Sequence, residues 1–70
     1  MDIHLVVNRN ILKLAGRKKW SINLLADFAG ISRGYLSTLL RGKKSPTLRT
    51  LEKIANALEV EVGELFGGEK

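Results

Sequence analysis

Arg33, Tyr35, Ser37, Thr38, Arg41, Lys43 and Lys44 crowd hydrogen-bond donors and positive charge into one short stretch of a 70-residue chain. That is the chemistry of recognition: hydroxyl, guanidinium and ammonium groups match surfaces rich in acceptors and negative charge. Reaction chemistry is harder to assemble. No pair of carboxylates, no nucleophile beside a base and no phosphate-cradling glycine loop can be put together, so the chain is not expected to be an enzyme. It contains no Cys and a single His, His4, read as an exposed bystander. Neither a disulfide, nor a metal site, nor a bound cofactor or small-molecule ligand is therefore expected.

The elements that must position these side chains lie between Leu24 and Gly42. Apolar Leu24, Leu25 and Phe28, then Leu36, Leu39 and Leu40, recur at helical spacing on either side of Gly30-Ile31-Ser32. Gly30 can adopt the left-handed conformation that ends a helix, and Ser32 can accept from an orphan amide at the start of the next. Ile31, just before that cap, is placed to pack on Leu36. Arg33, Gly34, Tyr35, Ser37 and Thr38 are polar or small and fall mostly off the apolar face. A short helix with a buried back and a polar front suits a DNA major groove.

Around this pair the chain reads as all helical. Ile3, Val7, Ile11 and Leu14 share one face of a first helix that Asp2 could cap. β-Branched Val6 and Val7 also suit extended backbone, so the helix is expected from about Asn8, with its first turns open. Gly16 or the following Arg17-Lys18-Lys19 should end it. Trp20-Ser21 repeats the arrangement at Ile31-Ser32, with Trp20 expected in the core and Leu25 as its packing partner. Helix two is expected from Ile22 to about Ala29 and helix three from Arg33 to about Arg41. Helix four is capped by Thr47, or begins at Ser45-Pro46, and buries Leu48, Leu51, Ile54, Ala55 and Leu58. Val60, Val62, Leu65 and Phe66 suggest a last short helix before Gly67-Gly68.

Seventy residues suit one domain, here 1–70 with its core over 8–66. No apolar run approaches the roughly 20 residues of a membrane span, and the opening residues do not form a signal peptide. A cytoplasmic location without membrane contact is expected. Charge is polarised along the chain: residues 1–51 carry ten Lys/Arg against Asp2 and Asp27, whereas residues 52–70 carry two Lys against five Glu. A cationic body with an acidic end favours a polyanionic partner.

Ser21 with Leu25-Ala26, the run Ala29-Gly30-Ile31-Ser32-Arg33, Leu39 with Arg41-Gly42-Lys43, Pro46-Thr47-Leu48, Leu51-Ile54-Ala55-Leu58 and Val60-Leu65-Phe66 follow one another without a gap. In this order they resemble the Cro/C1-type, or Xre, helix-turn-helix DNA-binding domains, over roughly Asn8 to Phe66. The resemblance implies a compact, lambda-repressor-like bundle of about five short helices, with the helix-turn-helix at helices two and three. It implies a sequence-specific transcriptional regulator, most simply a repressor, that binds double-stranded operator DNA as a homodimer. By position, Arg33, Ser37 and Thr38 would face base edges, while Ser21, Tyr35, Arg41, Lys43 and Lys44 would touch phosphates. Val60, Val62, Leu65 and Phe66 would form the dimer interface.

There are three departures from the family pattern. Ile22 replaces a Gln that usually contacts DNA, Gly34 replaces a frequent base reader, and Ala15 with Leu40 replace a common buried Arg–Glu pair. The last exchange substitutes apolar packing for a buried ion pair, a neutral or stabilising change. Alternative roles stay open for individual residues: Tyr35 as an aromatic lid over the helix pair, Arg33 as an ordinary exposed helix residue, and Arg17, Lys18 and Lys19 as solvated charges or phosphate contacts. At the level of function, antitoxins and restriction-modification controllers share the scaffold. A helical protein-interaction module that binds no DNA is the alternative of a different class.

Overall fold

The computed structural model describes residues 3–67 and contains five helices: α1 (Ile3–Arg17), α2 (Ile22–Ala29), α3 (Arg33–Leu40), α4 (Leu48–Leu58) and α5 (Val62–Leu65). The hydroxyl caps anticipated for three of them are made. Ser21 accepts from the Leu24 amide at 3.1 Å, Ser32 from the Tyr35 amide at 3.0 Å and Thr47 from the Thr50 amide at 3.1 Å. Each satisfies an amide that the helix itself leaves without a partner. Thr47, rather than Ser45-Pro46, therefore starts α4. The short α5 begins with a capping box, in which the side chains and backbones of Glu61 and Glu64 bond reciprocally.

α2 and α4 pack against each other, α3 docks on α2, and α5 sits against α1 and α4. The common core comprises Val7, Ile11 and Ala15 of α1, Leu25, Ala26 and Ala29 of α2, Leu36 of α3, Leu51, Ile54, Ala55 and Leu58 of α4, and Leu65 of α5. Two polar side chains staple α1 to distant backbone: Asn8 donates to the Leu39 carbonyl at 3.2 Å and Asn10 to the Leu65 carbonyl at 2.9 Å. Asn8 is buried, and its bond to the end of α3 accounts for a polar group at a core position.

The structure corrects several expectations. α1 already runs from Ile3, and Val7 is fully buried, so the core begins before Asn8. Ile3 itself is exposed, and the buried stripe is completed by Ala15. The expected Asp2 cap and Gly68 lie outside the described residues. Leu24, Phe28 and Leu48 are exposed rather than buried: Leu24 and Phe28 each stand one position before a buried residue, Leu25 and Ala29, and Leu48 is the first residue of α4, ahead of its first buried position at Thr50. Trp20 is only half-buried, and its ring stacks on Phe28 with centroids 4.6 Å apart. His4 is half-buried on α1.

Candidate nucleic-acid interface

The turn between α2 and α3 fixes where the polar front points. Gly30 has φ 74° and ψ 30°, the left-handed conformation that a Cβ disfavours. Its amide donates to the Asp27 carbonyl at 3.3 Å and the Ile31 amide to the Ala26 carbonyl at 3.1 Å. This pair of bonds closes α2 as a Schellman motif, and Ser32 opens α3 two residues later. Leu36 and Leu39 are completely buried, so α3 can rotate little about its axis. Gly34, Ser37 and Thr38 lie on the opposite side, Gly34 in solvent and the other two half-buried, while Arg33 is exposed at the edge of the buried face, in the first turn.

Arg33 is exposed and engaged. Its Nε donates to Asp27 Oδ1 at 3.3 Å and its Nη2 to Asp27 Oδ2 at 2.9 Å, a two-pronged ion pair reaching across the turn from α3 to α2. Those hydrogen bonds hold the Asp27 carboxyl below its ordinary pKa; slight desolvation opposes them and the charge of Arg33 adds to them. Asp27 is thus ionised at neutral pH. The guanidinium is shifted the other way, upward, chiefly by the same hydrogen bonds.

The remaining base-reading candidates are partly committed. The Thr38 hydroxyl donates to the Gly34 carbonyl at 2.9 Å, which leaves it only acceptor capacity for an outside group. Ser37 Oγ takes a long 3.5 Å contact from Arg41 Nη2. Gly34 has open space where a Cβ would stand, with nothing within 4 Å. The α3 backbone is therefore bare at this point.

Among the phosphate candidates, Arg41, Lys43 and Lys44 are exposed in the turn after α3, where Gly42 takes φ 79°. Lys44 Nζ lies 5.7 Å from the centre of the Tyr35 ring, a cation–π approach. Tyr35 is half-buried, and its hydroxyl meets Thr50 Oγ1 at 3.4 Å; Thr50 in turn accepts from Thr47 Oγ1 at 3.0 Å. This network ties the middle of α3 to the start of α4 and gives Tyr35 a share of the lid role. Ser21 is exposed at the start of α2 while serving as its cap. Lys18, by contrast, is drawn to Glu59 at 2.9 Å and to the Trp20 ring at 5.2 Å, away from the cluster beyond α3.

Of the residues assigned to pairing, Leu65 belongs to the monomer core with no exposed surface and is removed from the interface. The four-residue α5 turns Leu65 inward between α1 and α4, the position a single subunit needs filled. Val60 and Val62 are half-buried against the same core, and Phe66 keeps 43% of its surface exposed.

Sequence reasoning missed Asp27, Thr50, Asn8 and Asn10. Asp27 left a signal: it is the one acidic residue between Asp2 and Glu52, six positions before Arg33 across the turn. The other three are polar residues on core-facing or junction positions, which a search for apolar periodicity passes over. Among the described residues no group of three His, Cys, Asp or Glu is placed to hold a metal ion, and no helix is long and apolar enough to cross a membrane.

The helix-turn-helix family model HTH_3 matches residues 11–65. The chain is 42% identical over 65 residues to the HTH-type transcriptional regulator SlrR of Bacillus subtilis, an alignment covering 91% of this chain and 43% of SlrR. It is 34% identical over 65 residues to the immunity repressor protein of Bacillus phage phi105, covering 93% of this chain and 45% of that protein. It therefore spans less than half the length of either relative. Among solved structures, the restriction-modification controller protein C.AhdI from Aeromonas hydrophila superposes with a TM-score of 0.83 at 29% identity, over 89% of this chain and 94% of that one.

Proposed function

The chain belongs to the Cro/C1-type helix-turn-helix family of DNA-binding transcriptional regulators, and on that premise we propose that it represses transcription from the cytoplasm by binding a two-fold operator as a homodimer. One observation carries the reading: α3 has a fully buried back at Leu36 and Leu39 and an exposed first turn at Arg33 and Gly34, and runs into exposed Arg41, Lys43 and Lys44. A helix of eight residues with that polarity enters a major groove, while cations at its far end reach the adjoining phosphates. Arg33 reads a base, with Ser37 and the acceptor side of Thr38 beside it. Ser21, Tyr35, Arg41, Lys43 and Lys44 hold the backbone. Phe66, with the free edges of Val60 and Val62, pairs the two copies.

Within the same class, a restriction-modification controller role draws support from the match to C.AhdI over most of that protein's length. Salt dependence separates all such roles from a protein-interaction module. A dimer neutralising about 6–10 phosphates loses roughly 10³–10⁵ in affinity between 50 and 200 mM salt. Fluorescence anisotropy with duplex DNA across that range measures it, and an affinity that ignores salt removes the DNA reading.

A further inference from the structure

We infer that Asp27 is a positioning residue for recognition: it grips one edge of the Arg33 guanidinium and leaves the other edge aimed outward, so that it sharpens the base preference set by Arg33. The inference rests on Arg33 reading a base and assigns to that reading a second residue that makes no base contact of its own.

A guanidinium offers two bidentate edges, a side edge formed by Nε and one Nη, and an end edge formed by the two Nη atoms. Asp27 takes the side edge, through Nε at 3.3 Å and Nη2 at 2.9 Å. Both hydrogens of Nη1 and the second hydrogen of Nη2 are left, and they include the end edge. That edge matches guanine O6 and N7 with two parallel hydrogen bonds. Without Asp27, Arg33 has four rotatable side-chain bonds at a solvent-exposed first-turn position. With it, the guanidinium is anchored to both helices of the pair, and less freedom remains to be lost on binding.

Two further observations point the same way. The pair is exposed on both sides, with side-chain exposures of 59% and 55%. Ion pairs in such positions contribute little to folding, so the consequence of this one is directional rather than structural. Its charge is also costly where it stands. Asp27 is the single carboxylate in the cationic stretch from Ile3 to Leu51, beside the helix proposed to approach phosphates. It weakens attraction to DNA of any sequence while it orders the group that discriminates among sequences. Lower non-specific affinity and higher discrimination are the two components of a specificity ratio.

The test compares wild type, Asp27→Asn, Arg33→Ala and the double variant on DNA sites recovered by selection from a random pool. Each is measured against the same sites with single base pairs replaced, and against unrelated duplex. Thermal melts confirm that the variants fold. At the pair read by Arg33, wild type should discriminate by roughly 5- to 150-fold. Asn at 27 should lower that ratio several-fold and raise affinity for unrelated duplex, and the exchange at 27 should have no effect on preference once Arg33 is Ala. If Arg33→Ala removes the preference but Asp27→Asn leaves it intact, or scales every sequence equally, Asp27 is only a surface ion pair and the inference is overturned. If Arg33→Ala itself leaves every preference in place, the base-reading role of Arg33 falls first and the inference falls with it.

Discussion

At the scale of single residues, side chains proposed to distinguish sequences differ from those proposed only to hold the duplex. Arg33 is exposed, multiply donating and fixed at the first turn of α3; Lys43 is an exposed point charge in the following loop. Arg33→Ala should relax preference at one base pair in each half-site, whereas Lys43→Ala should weaken all sequences alike and reduce the salt slope by about one per subunit, roughly two for the dimer. Competition binding with single-substituted operators distinguishes them. An equal loss for every sequence with Arg33→Ala would make it a phosphate clamp and shift the code to Ser37, Thr38 and Tyr35. The replacement at Ala15 and Leu40 is also open to test. Ala15 is buried and Leu40 half-buried against the core. Leu40→Glu should destabilise by about 3 kcal/mol, and adding Ala15→Arg should restore part of it if the two sites touch. Simple additivity in denaturant unfolding would show that they do not.

At the scale of elements, the helix boundaries follow from local chemistry that the sequence displays. Ser21, Ser32 and Thr47 each precede an apolar-periodic run, and Gly30 follows one, so caps and turn were legible before any packing was known. The inward faces were legible only in part. Periodicity assigns Leu25, Leu36, Ile54 and Leu58 correctly, but it cannot say how wide a stripe each neighbour covers, and so Leu24, Phe28 and Leu48 were drawn into a core that does not reach them. Contacts between residues far apart in sequence, such as the Asn8 side chain with the Leu39 carbonyl and Tyr35 with Thr50, depend on docking geometry that no single helix encodes. The recognition helix makes its own prediction. Gly16 and Gly34 both lie in helices with open space where a Cβ would go. Each Gly→Ala change should stabilise by up to about 1 kcal/mol. Gly16→Ala should leave DNA affinity alone, while Gly34→Ala should weaken it, because Gly34 lies on the side of α3 proposed to face the bases. Equal DNA affinity for the two variants would place the backbone of α3 away from the duplex.

At the scale of the whole molecule, α3 lies on a body of 27 × 25 × 20 Å. In the proposed complex a single copy reads one short segment of groove, and a second copy related by a two-fold axis supplies the other half-site. Phe66, exposed at the end of α5, lies where pairing is proposed, and Glu59 and Glu61 are exposed in the segment that leads into α5. Phe66→Ala should therefore shift the sedimentation mass toward the monomer and weaken operator binding without lowering the melting temperature of the monomer. A wild-type protein that stays monomeric at high concentration and on DNA would exclude the dimer. The central claim, that this chain reads a defined DNA sequence through α3, is met most directly by sequencing the duplexes it retains from a random pool at low salt. The enriched motif should be an inverted repeat whose half-site centres lie about 10–10.5 base pairs apart, or a multiple of that, with a strongly preferred guanine in each half. A retained pool with no enriched motif would contradict it.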